Sequence, residues 1–288
     1  MELVVSTYSI MDRFIAHCHN DCLVYLDYKE VKNMSKTVGI VGEGHVGSIM
    51  KELFPDAIVY DEPKGIGSRE EINACDFAFV CVPTPKGENG ECDTSIVDNV
   101  LEWLDPKEVI ILRSTVPVGY TYWKSMYYCK DMVFQPEYYG ETKNHPFANP
   151  HNRSWITLGG FSHITRKVAD LYQTVYTSDL IINQVSSNVA ELAKYMENAF
   201  YSVKVTFCNQ FYDLAQAYDI DYHKLSETWL LDPRISISHT DVYPDNRGYG
   251  GSCLPKDTAA IIYEADKMGI DMSLLKATEE ANRRYHND

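Results

Sequence analysis

A strand, a glycine-rich turn and a helix in direct succession constrain the fold of this chain most. Residues 37–41 read T-V-G-I-V, which is typical of a buried β-strand, and residues 48–54 have a helical pattern. The turn over residues 42–47 reads G-E-G-H-V-G. In this context the spacing predicts a dinucleotide-binding fingerprint, because its glycines allow a tight turn, approach of a pyrophosphate and close contact of helix with strand. The candidate cofactor residues of the turn are Gly42, Gly44, His45, Val46 and Gly47.

An acidic residue follows the fingerprint at the expected distance. Residues 57–60 predict a second strand, which ends at Asp61, about 20 positions after Gly42. An acid there binds the ribose hydroxyls of NAD and repels the extra phosphate of NADP, so NAD is the predicted cofactor. The simpler interpretation is a plain glycine turn beside a solvated aspartate. Glu43 places a second carboxylate near the pyrophosphate, which weakens binding unless it points outward.

Strands and helices alternate up to residue 185. Predicted strands over residues 76–82, 108–113, 133–135 and 155–159 are separated by helical stretches such as 95–104. This alternation predicts an α/β fold, a Rossmann-type doubly wound parallel sheet over residues 37–185. Ligands bind such sheets at the carboxyl ends of the strands. Three of these ends carry proline-stiffened loops with hydroxyl or carboxylate groups: V-P-T-P at 82–85, S-T-V-P at 114–117 and P-E-Y-Y-G-E at 136–141.

The remaining stretch, residues 186–288, predicts an all-helical domain. Residues 187–218 contain no Pro or Gly and begin after serines that suit an N-cap, and further helices are predicted over 258–268 and 273–285. Lys194 and Asn198 are four residues apart and therefore lie on one face of the long helix. A lysine on a helix is commonly just solvated.

A glycine-rich cysteine motif, G-Y-G-G-S-C-L-P-K-D, occupies residues 248–257. Glycines allow another molecule to approach the backbone, and a nearby lysine favours the thiolate, the reactive form of Cys253. The alternative is a glycine turn beside a buried structural cysteine.

Composition narrows the classes of partner. The chain has 288 residues and a net charge of -15, which argues against nucleic-acid and anionic-membrane partners. Eight cysteines spread along the chain fit a reducing, cytoplasmic setting better than a disulfide framework.

Residues 1–36 are predicted to be a loosely attached N-terminal extension. Their cluster of metal-ligand types has no second cluster to match it, so no metal site is predicted; its members are His17, Cys18, His19 and Cys22.

Taken together, these motifs resemble the UDP-glucose/GDP-mannose dehydrogenase family. The resemblance also includes E-L-x-K-Y-x-x-N at 191–198 and D-x-R-I at 232–235, in the family's order, and it covers nearly everything after residue 37. It implies an enzyme that oxidises a nucleotide-sugar alcohol to the acid with two NAD. The sequence gives little information on the substrate. A serine before the cysteine, here Ser252, is similar to the UDP-glucose and GDP-mannose branches of the family. UDP-glucose is the preferred substrate and GDP-mannose the second candidate.

The resemblance assigns roles to residues. Cys253 attacks the aldehyde, which gives a thiohemiacetal and then a thioester, and Lys194 and Asn198 stabilise the oxyanion. Asp257 positions water and Lys194, and Glu137 assists hydrolysis as a base. Thr84, Pro85, Thr115 and Glu141 line the cofactor crevice. Glu137, Lys194, Asn198, Arg234, Tyr249 and Gly250 bind substrate, with Arg234 reaching the neighbouring subunit of a homodimer built on the long helix.

The chain also departs from the family. Gln135 stands in place of Asn, Tyr139-Gly140 replaces a Leu-containing pair, and His45 replaces an aromatic residue. Family members continue into a third, nucleotide-binding domain that is not found in these 288 residues. The alternative to an active dehydrogenase is therefore a non-catalytic or split NAD-binding subunit that needs a separate nucleotide-binding domain. A simpler hydroxyacid dehydrogenase is disfavoured, since it needs no nucleophilic cysteine.

Overall fold

The computed structural model describes residues 36–139, 149–176 and 179–285, together with the backbone of two strands before residue 36. The chain divides into two compact units, Met1–Thr37 and Val38–Asp288. In the first unit, strands β1 (Arg13–His17) and β2 (Leu23–Asp27) pair antiparallel. The metal-ligand candidates Cys18, His19 and Cys22, and the side chain of His17, lie outside the described residues.

A seven-stranded sheet forms the centre of the second unit. Its strands are β3 (Val38–Val41), β4 (Ile58–Tyr60), β5 (Phe77–Val80), β6 (Val109–Leu112), β7 (Met132–Phe134), β8 (Trp155–Gly159) and β9 (Ile181–Val185). The spatial order is β4-β3-β5-β6-β7-β8-β9. All neighbours run parallel except β7 and β8, which meet antiparallel at a single pair, Phe134 with Gly159. The predicted doubly wound α/β fold is confirmed.

Helices cover both faces of the sheet. They are α1 (His45–Leu53), α2 (Arg69–Asn73), α3 (Ser95–Trp103), α4 (Tyr120–Tyr128) and α5 (Ser162–Tyr172), with a short 3₁₀ turn at Pro150–Asn152. Alternate strand residues face opposite sides: Phe77 and Phe79 pack with α1 and α5, whereas Ala78 and Val80 pack with α2 and α3. Burial on both faces explains why these strands are continuous apolar runs.

The strand order reverses beside β3, and this reversal places the site. The chain passes from β3 to β4 at the sheet edge and returns to β5 on the other side of β3. A crevice therefore opens at the carboxyl ends of β3 and β5, where ligands bind in sheets of this kind. The turn at 42–47 follows β3, and the loop at 82–85 follows β5.

The helical part contains α6 (Ser187–Ala217), α7 (Tyr222–Trp229), α8 (Leu254–Lys267) and α9 (Ser273–Asn282). The Ser186 hydroxyl accepts a hydrogen bond from the Val189 N–H, as the N-cap pattern predicts. Helix α8 begins four residues earlier than expected because Pro255 is compatible with a first helical turn.

Some elements were not predicted from the sequence: α2, α4, α5, α7 and β9. Helix α4 reads Y-T-Y-W-K-S-M-Y-Y, and its aromatic residues favour strands intrinsically, so its propensity gave no helix signal. Residues 38–288 form one compact unit, and the proposed boundary between residues 185 and 186 stays a prediction. Within the described part of the chain, the helices are all too short or too polar to cross a bilayer.

Candidate active site

The turn after β3 has the shape that a bound pyrophosphate requires. Gly42 has φ +91°, and a Cβ there would lie 2.9 Å from the Cys81 carbonyl oxygen. A Cβ on Gly47 would lie 1.9 Å from the Gly42 oxygen, so the helix can approach the turn only without a side chain. At Gly44, by contrast, no described atom lies within 4 Å of such a Cβ. The open space in front of the α1 N-terminus, near the exposed His45 and the half-buried Val46, suits the pyrophosphate of a dinucleotide.

Asp61 holds this turn in place. Its Oδ2 accepts a hydrogen bond from the Glu43 N–H at 2.8 Å, and its Oδ1 accepts one from the Lys64 N–H at 3.1 Å. A carboxylate has about four lone-pair sites, so two stay available for ribose hydroxyls. The Glu43 carboxylate forms an ion pair with Lys64 at 3.2 Å. This pair offsets the negative charge that the sequence places near the pyrophosphate.

The loops after β5 and β6 are tied together in the crevice. The Ser114 hydroxyl donates to the Val82 carbonyl oxygen at 2.6 Å, and the Cys92 thiol donates to the Thr115 carbonyl oxygen at 3.4 Å. Burial raises the pKa of Cys92, so its thiol stays protonated and acts as a packing and donor group. Thr84 is buried beside it, whereas Pro85 is exposed. Glu141 lies outside the described residues.

Glu137 is held by a residue that the sequence analysis missed. The Arg113 guanidinium forms a buried ion pair with the Glu137 carboxylate, whose other oxygen accepts the Tyr139 N–H. Arg113 also donates to the carbonyl oxygens of Gln135 and Pro136, at 3.4 and 3.3 Å. Burial lowers the pKa of Arg113, but the combined effect of Glu137 and, to a smaller extent, of Tyr172, Tyr139 and Cys81 exceeds it, so the net pKa is raised. The only sequence signal was a charged residue at the end of a buried strand.

A chain of polar contacts joins α6, α8 and the loop after β7. The Asn198 amide donates to Asp257 Oδ2 at 2.6 Å, although the two residues are 59 positions apart. The Lys194 ammonium donates to the Glu137 carbonyl oxygen, lies 3.5 Å from Asn198 Oδ1 and stands 4.9 Å from the Tyr138 ring centre. Lys194, Asn198 and Asp257 are all buried. Their predicted proximity is therefore seen in the structure.

Cys253 lies at the N-cap of α8, one turn before Asp257. Its thiol is exposed and lies 3.6 Å from the Ser252 hydroxyl, and its carbonyl oxygen accepts the Asp257 N–H at 2.9 Å. The partial positive charge of a helix N-terminus favours an anion at this place. The thiol is thus accessible to a ligand, and the alternative of a buried structural cysteine does not apply.

The glycine-rich loop before Cys253 is anchored from behind. The Tyr249 N–H and carbonyl oxygen both bond the Asn282 side chain at 2.8 Å, and Tyr249 is buried. Arg247 donates to the Asn209 amide oxygen at 2.6 Å, which also accepts the Gly248 N–H. Gly250 is exposed. These anchors leave the backbone of the loop accessible on its outer side.

Arg234 lies apart from the polar chain of the site. Its side chain is 87% exposed and forms a double hydrogen bond with Asp232. Two of the departures from the family pattern, Gln135 and Tyr139, are accommodated by buried contacts close to Arg113 and Glu137. Gln135 is buried and accepts the Tyr172 hydroxyl at 2.6 Å, and Tyr139 is buried between the guanidinium groups of Arg113 and Arg153.

Two domain models of one family match the chain. The model described as "UDP-glucose/GDP-mannose dehydrogenase family, NAD binding domain" matches residues 65–175, and the one described as the family's central domain matches residues 188–284. The matched ranges contain Glu137, Lys194, Asn198, Cys253 and Asp257. The fingerprint turn lies before the first range, so its assignment rests on its geometry. Within the described residues, no cluster of three or more metal-ligand side chains occurs.

Curated relatives are similar to this chain over part of their length. UDP-glucose 6-dehydrogenase TuaD of Bacillus subtilis is 28% identical over 225 residues, which are 74% of this chain and 47% of that protein. GDP-mannose 6-dehydrogenase of Pseudomonas syringae is 27% identical over 253 residues, which are 81% of this chain and 56% of that protein. The chain thus spans about half the length of these relatives.

A solved structure supports the fold. A UDP-glucose dehydrogenase from Pyrobaculum islandicum superposes with a TM-score of 0.75 at 22% identity, and the match covers 88% of this chain and 69% of that chain. At this identity the likeness establishes the shared fold alone.

Proposed function

The chain belongs to the UDP-glucose/GDP-mannose dehydrogenase family, and from that premise we propose that it is an NAD-dependent nucleotide-sugar 6-dehydrogenase that acts on UDP-glucose. The observation that carries the proposal is the 2.6 Å hydrogen bond between Asn198 and Asp257. It joins the lysine–asparagine face of α6 to the helix that Cys253 caps. A cation, an amide and a carboxylate are therefore joined by contacts, and the helix that carries the carboxylate begins at the candidate nucleophile Cys253, one turn before Asp257.

Lys194 and Asn198 have donors left for a substrate oxyanion. An ammonium has three protons and a primary amide has two. In the described contacts, Lys194 bonds the Glu137 carbonyl oxygen and, at 3.5 Å, Asn198 Oδ1; the Asn198 amide bonds Asp257 once. One proton of each stays available. Buried donors fixed in this way stabilise the negative charge that develops on the sugar oxygen.

Cys253 supplies the covalent step of the proposed reaction. NAD, when bound, accepts one hydride in each of the two oxidations. The Cys253 sulfur forms a bond to the aldehyde carbon and the thiol proton passes to the carbonyl oxygen, which gives a thiohemiacetal. Loss of that proton and of a hydride leaves a thioester. Water then cleaves the carbon–sulfur bond, which releases the acid and restores the thiol.

Glu137 and Asp257 have different freedom to assist hydrolysis. Both oxygens of Glu137 are occupied in the structure, one by Arg113 and one by the Tyr139 N–H. Each of these oxygens keeps a second lone pair, so Glu137 can accept a proton from water beside these contacts. Asp257 is 1% exposed and bonds both Asn198 and Lys256, so its proposed role is to orient its neighbours rather than to accept a proton.

The test is NADH formation at 340 nm with UDP-glucose, GDP-mannose and UDP-N-acetylglucosamine as separate substrates. We expect about two NADH per UDP-glucose consumed, because the acid lies two hydride transfers from the alcohol. GDP-mannose is the second candidate substrate. Two NADH from GDP-mannose and none from UDP-glucose would reassign the substrate while leaving the reaction in place.

Cysteine variants separate the covalent mechanism from simple oxidation. Cys253→Ser is expected to lose formation of the acid, and no thioester mass is expected on the variant after denaturation in acid. Cys129→Ser is the matched control, because Cys129 is the other exposed thiol of the described residues and lies at the end of α4. If Cys253→Ser and Cys129→Ser both matched the wild type, the covalent mechanism would be rejected.

A second candidate function follows from the share of the relatives that the chain spans. The alignments cover 47% and 56% of the two relatives, so we also consider an NAD-binding subunit that needs a separate nucleotide-binding domain. It predicts NAD binding without turnover. Restoration of turnover by a separately supplied nucleotide-binding domain would favour a split enzyme.

We further propose a homodimer built on α6, in the cytoplasm. The outer face of α6 carries a stripe of exposed apolar side chains: Leu192, Met196, Phe200, Phe207, Phe211 and Leu214. Such a stripe at helical spacing suits a helix–helix contact with a second copy. The exposed Arg234 would then reach the partner's substrate. The free thiols of six described cysteines fit a reducing compartment.

A further inference from the structure

Glu191 is a buried carboxylate to which the proposed chemistry assigns no role. It is fully buried on α6, and its two oxygens accept the Gly119 N–H at 2.6 Å and the Thr121 N–H at 2.9 Å. These amides belong to the beginning of α4, where Gly119 is the N-cap residue. A carboxylate at this position stabilises the helix N-terminus by charge-assisted hydrogen bonds.

This contact connects two separate parts of the site, the α6 helix and the loop after β6. Glu191, Lys194 and Asn198 share one face of α6, since they are three and four residues apart. Gly119 ends the loop that begins at Arg113, directly after β6, and contains Thr115. The Glu191 carboxylate therefore connects the helix that carries the oxyanion donors to the loop that lines the cofactor crevice.

A second contact joins α6 to the sheet, at the end of a different strand. The Lys194 ammonium bonds the Glu137 carbonyl oxygen, after β7. Close packing of Ala190 on Gly159 of β8 also holds this part of α6. The Glu191 contact lies one turn away from Lys194 and bonds a different strand end, so it adds a separate constraint on the position of the helix.

We propose that Glu191 is a positioning residue, which sets Lys194 and Asn198 at the distance from the cofactor crevice that hydride transfer requires. The inference rests on the proposed dehydrogenase function. Its effect is expected in turnover more than in cofactor affinity, because the described hydrogen bonds of the fingerprint turn and of Asp61 do not involve α6. A displacement of about 1 Å costs up to about a hundredfold in rate.

The test compares Glu191→Gln with Glu197→Gln, which makes the same change on the same helix at a half-buried residue whose side chain accepts only the Tyr201 hydroxyl among the described contacts. Glutamine has one acceptor oxygen in place of two, so one amide loses its partner. For Glu191→Gln we expect kcat to fall by about tenfold or more, with the NAD dissociation constant unchanged by calorimetry. Glu197→Gln is expected to retain the wild-type kcat.

Hydrogen exchange followed by mass spectrometry supplies a readout independent of activity. Glu191→Gln should speed exchange in peptides covering 114–121 and 191–198, and leave those covering 38–53 unchanged. If the wild type has no turnover, the proposed function fails and this measurement alone decides the positioning role. If Glu191→Gln does not fold, Glu191→Asp takes its place, since its shorter side chain cannot reach both amides.

Three results would overturn the inference. The first is a wild-type kcat in Glu191→Gln. The second is a parallel loss of kcat, NAD affinity and melting temperature, which is the signature of general destabilisation. The third is an exchange effect confined to α4, with none in 191–198, because it would reduce Glu191 to a helix cap.

Discussion

Arg113 and Glu191 are buried charged residues that hold the loops of this site in position. Arg113 is 3% exposed and Glu191 is fully buried, and each bonds backbone groups of a loop at the end of a strand. A buried charge is tolerated only with such partners, because desolvation alone costs several kcal/mol. The groups proposed to contact the substrate are thus held in place by two buried charged residues that are not proposed to contact it.

Gly47 and Gly44 should respond differently to the same substitution. A Cβ on Gly47 would lie 1.9 Å from the Gly42 oxygen, so Gly47→Ala should lower the free energy of unfolding by about 1–3 kcal/mol. Gly44 has open space and an extended backbone, so Gly44→Ala should change it by less than about 0.5 kcal/mol while weakening NAD binding. Urea unfolding and calorimetry with NAD measure both. Equal stability losses in the two variants would contradict this account.

The stability of the wild type relative to Glu191→Gln should depend on pH. Burial raises the pKa of Glu191, and the N–H groups of Gly119 and Thr121 only partly oppose this effect. A carboxyl whose pKa is raised on folding binds its proton more tightly in the folded state. Its contribution is therefore present below its unfolded pKa and is lost as pH rises through the folded pKa.

Relative to the Gln variant, the wild type should thus lose stability as pH rises above about 4.3, the ordinary pKa of a glutamate carboxyl. Urea unfolding of both proteins at several pH values measures the difference. A difference that stayed constant or grew with pH would show that the amide hydrogen bonds dominate over burial.

At the scale of elements, the contact between α6 and α8 determines the site. Two buried polar pairs join the helices: Asn198 with Asp257 at 2.6 Å, and the hydroxyls of Ser202 and Thr258 at 2.8 Å. Polar pairs fix the register of two helices more strictly than apolar contacts do, because hydrogen bonds are directional. The position of the Cys253 thiol relative to Lys194 follows from this register.

Asn198→Ala should destabilise the protein and Asn198→Asp should destabilise it more. Alanine leaves Asp257 Oδ2 buried without its donor, at a cost of about 1–3 kcal/mol. Aspartate would add a second buried carboxylate beside the first, and the two would repel. Chemical unfolding at pH 7 ranks the three proteins. An Asp variant as stable as the wild type would mean that the pair contributes nothing to the helix contact.

At the scale of the whole molecule, the apolar stripe on α6 is the surface most suited to self-association. The helix has 31 residues and is about 46 Å long, and the exposed Met196 and Phe200 lie within the stripe. An isolated domain rarely leaves so long an apolar face in water.

Light scattering after gel filtration tests the dimer. The wild type should have about twice the chain mass of 32.9 kDa. Met196→Glu combined with Phe200→Glu should give the monomer mass, because burying two carboxylates in an apolar interface is strongly unfavourable. Leu274→Glu changes an exposed leucine on α9 instead of α6 and serves as the control. A monomeric wild type would reject the proposal.

The fold was predictable where its signals are local. Strand, turn, helix and acid around residues 37–61 lie within one βαβ unit, and the strands of the central sheet are apolar runs with turn signals on both sides. These signals predicted the fold and the NAD cofactor, both of which are confirmed, and with the cysteine motif they indicated the family. Helices α2 and α4 escaped prediction because the first is short and the second is aromatic.

What the sequence determined by itself is the chemistry available: the glycine fingerprint, the acid after it, and the motifs that carry Lys194, Asn198 and Cys253. Only the tertiary structure decided which residues form hydrogen bonds or ion pairs with these groups. Arg113 meets Glu137 over 24 residues, and Glu191 meets Gly119 over 72. Such pairs leave no pattern in the sequence, because they depend on where separate strand ends and helix faces come together.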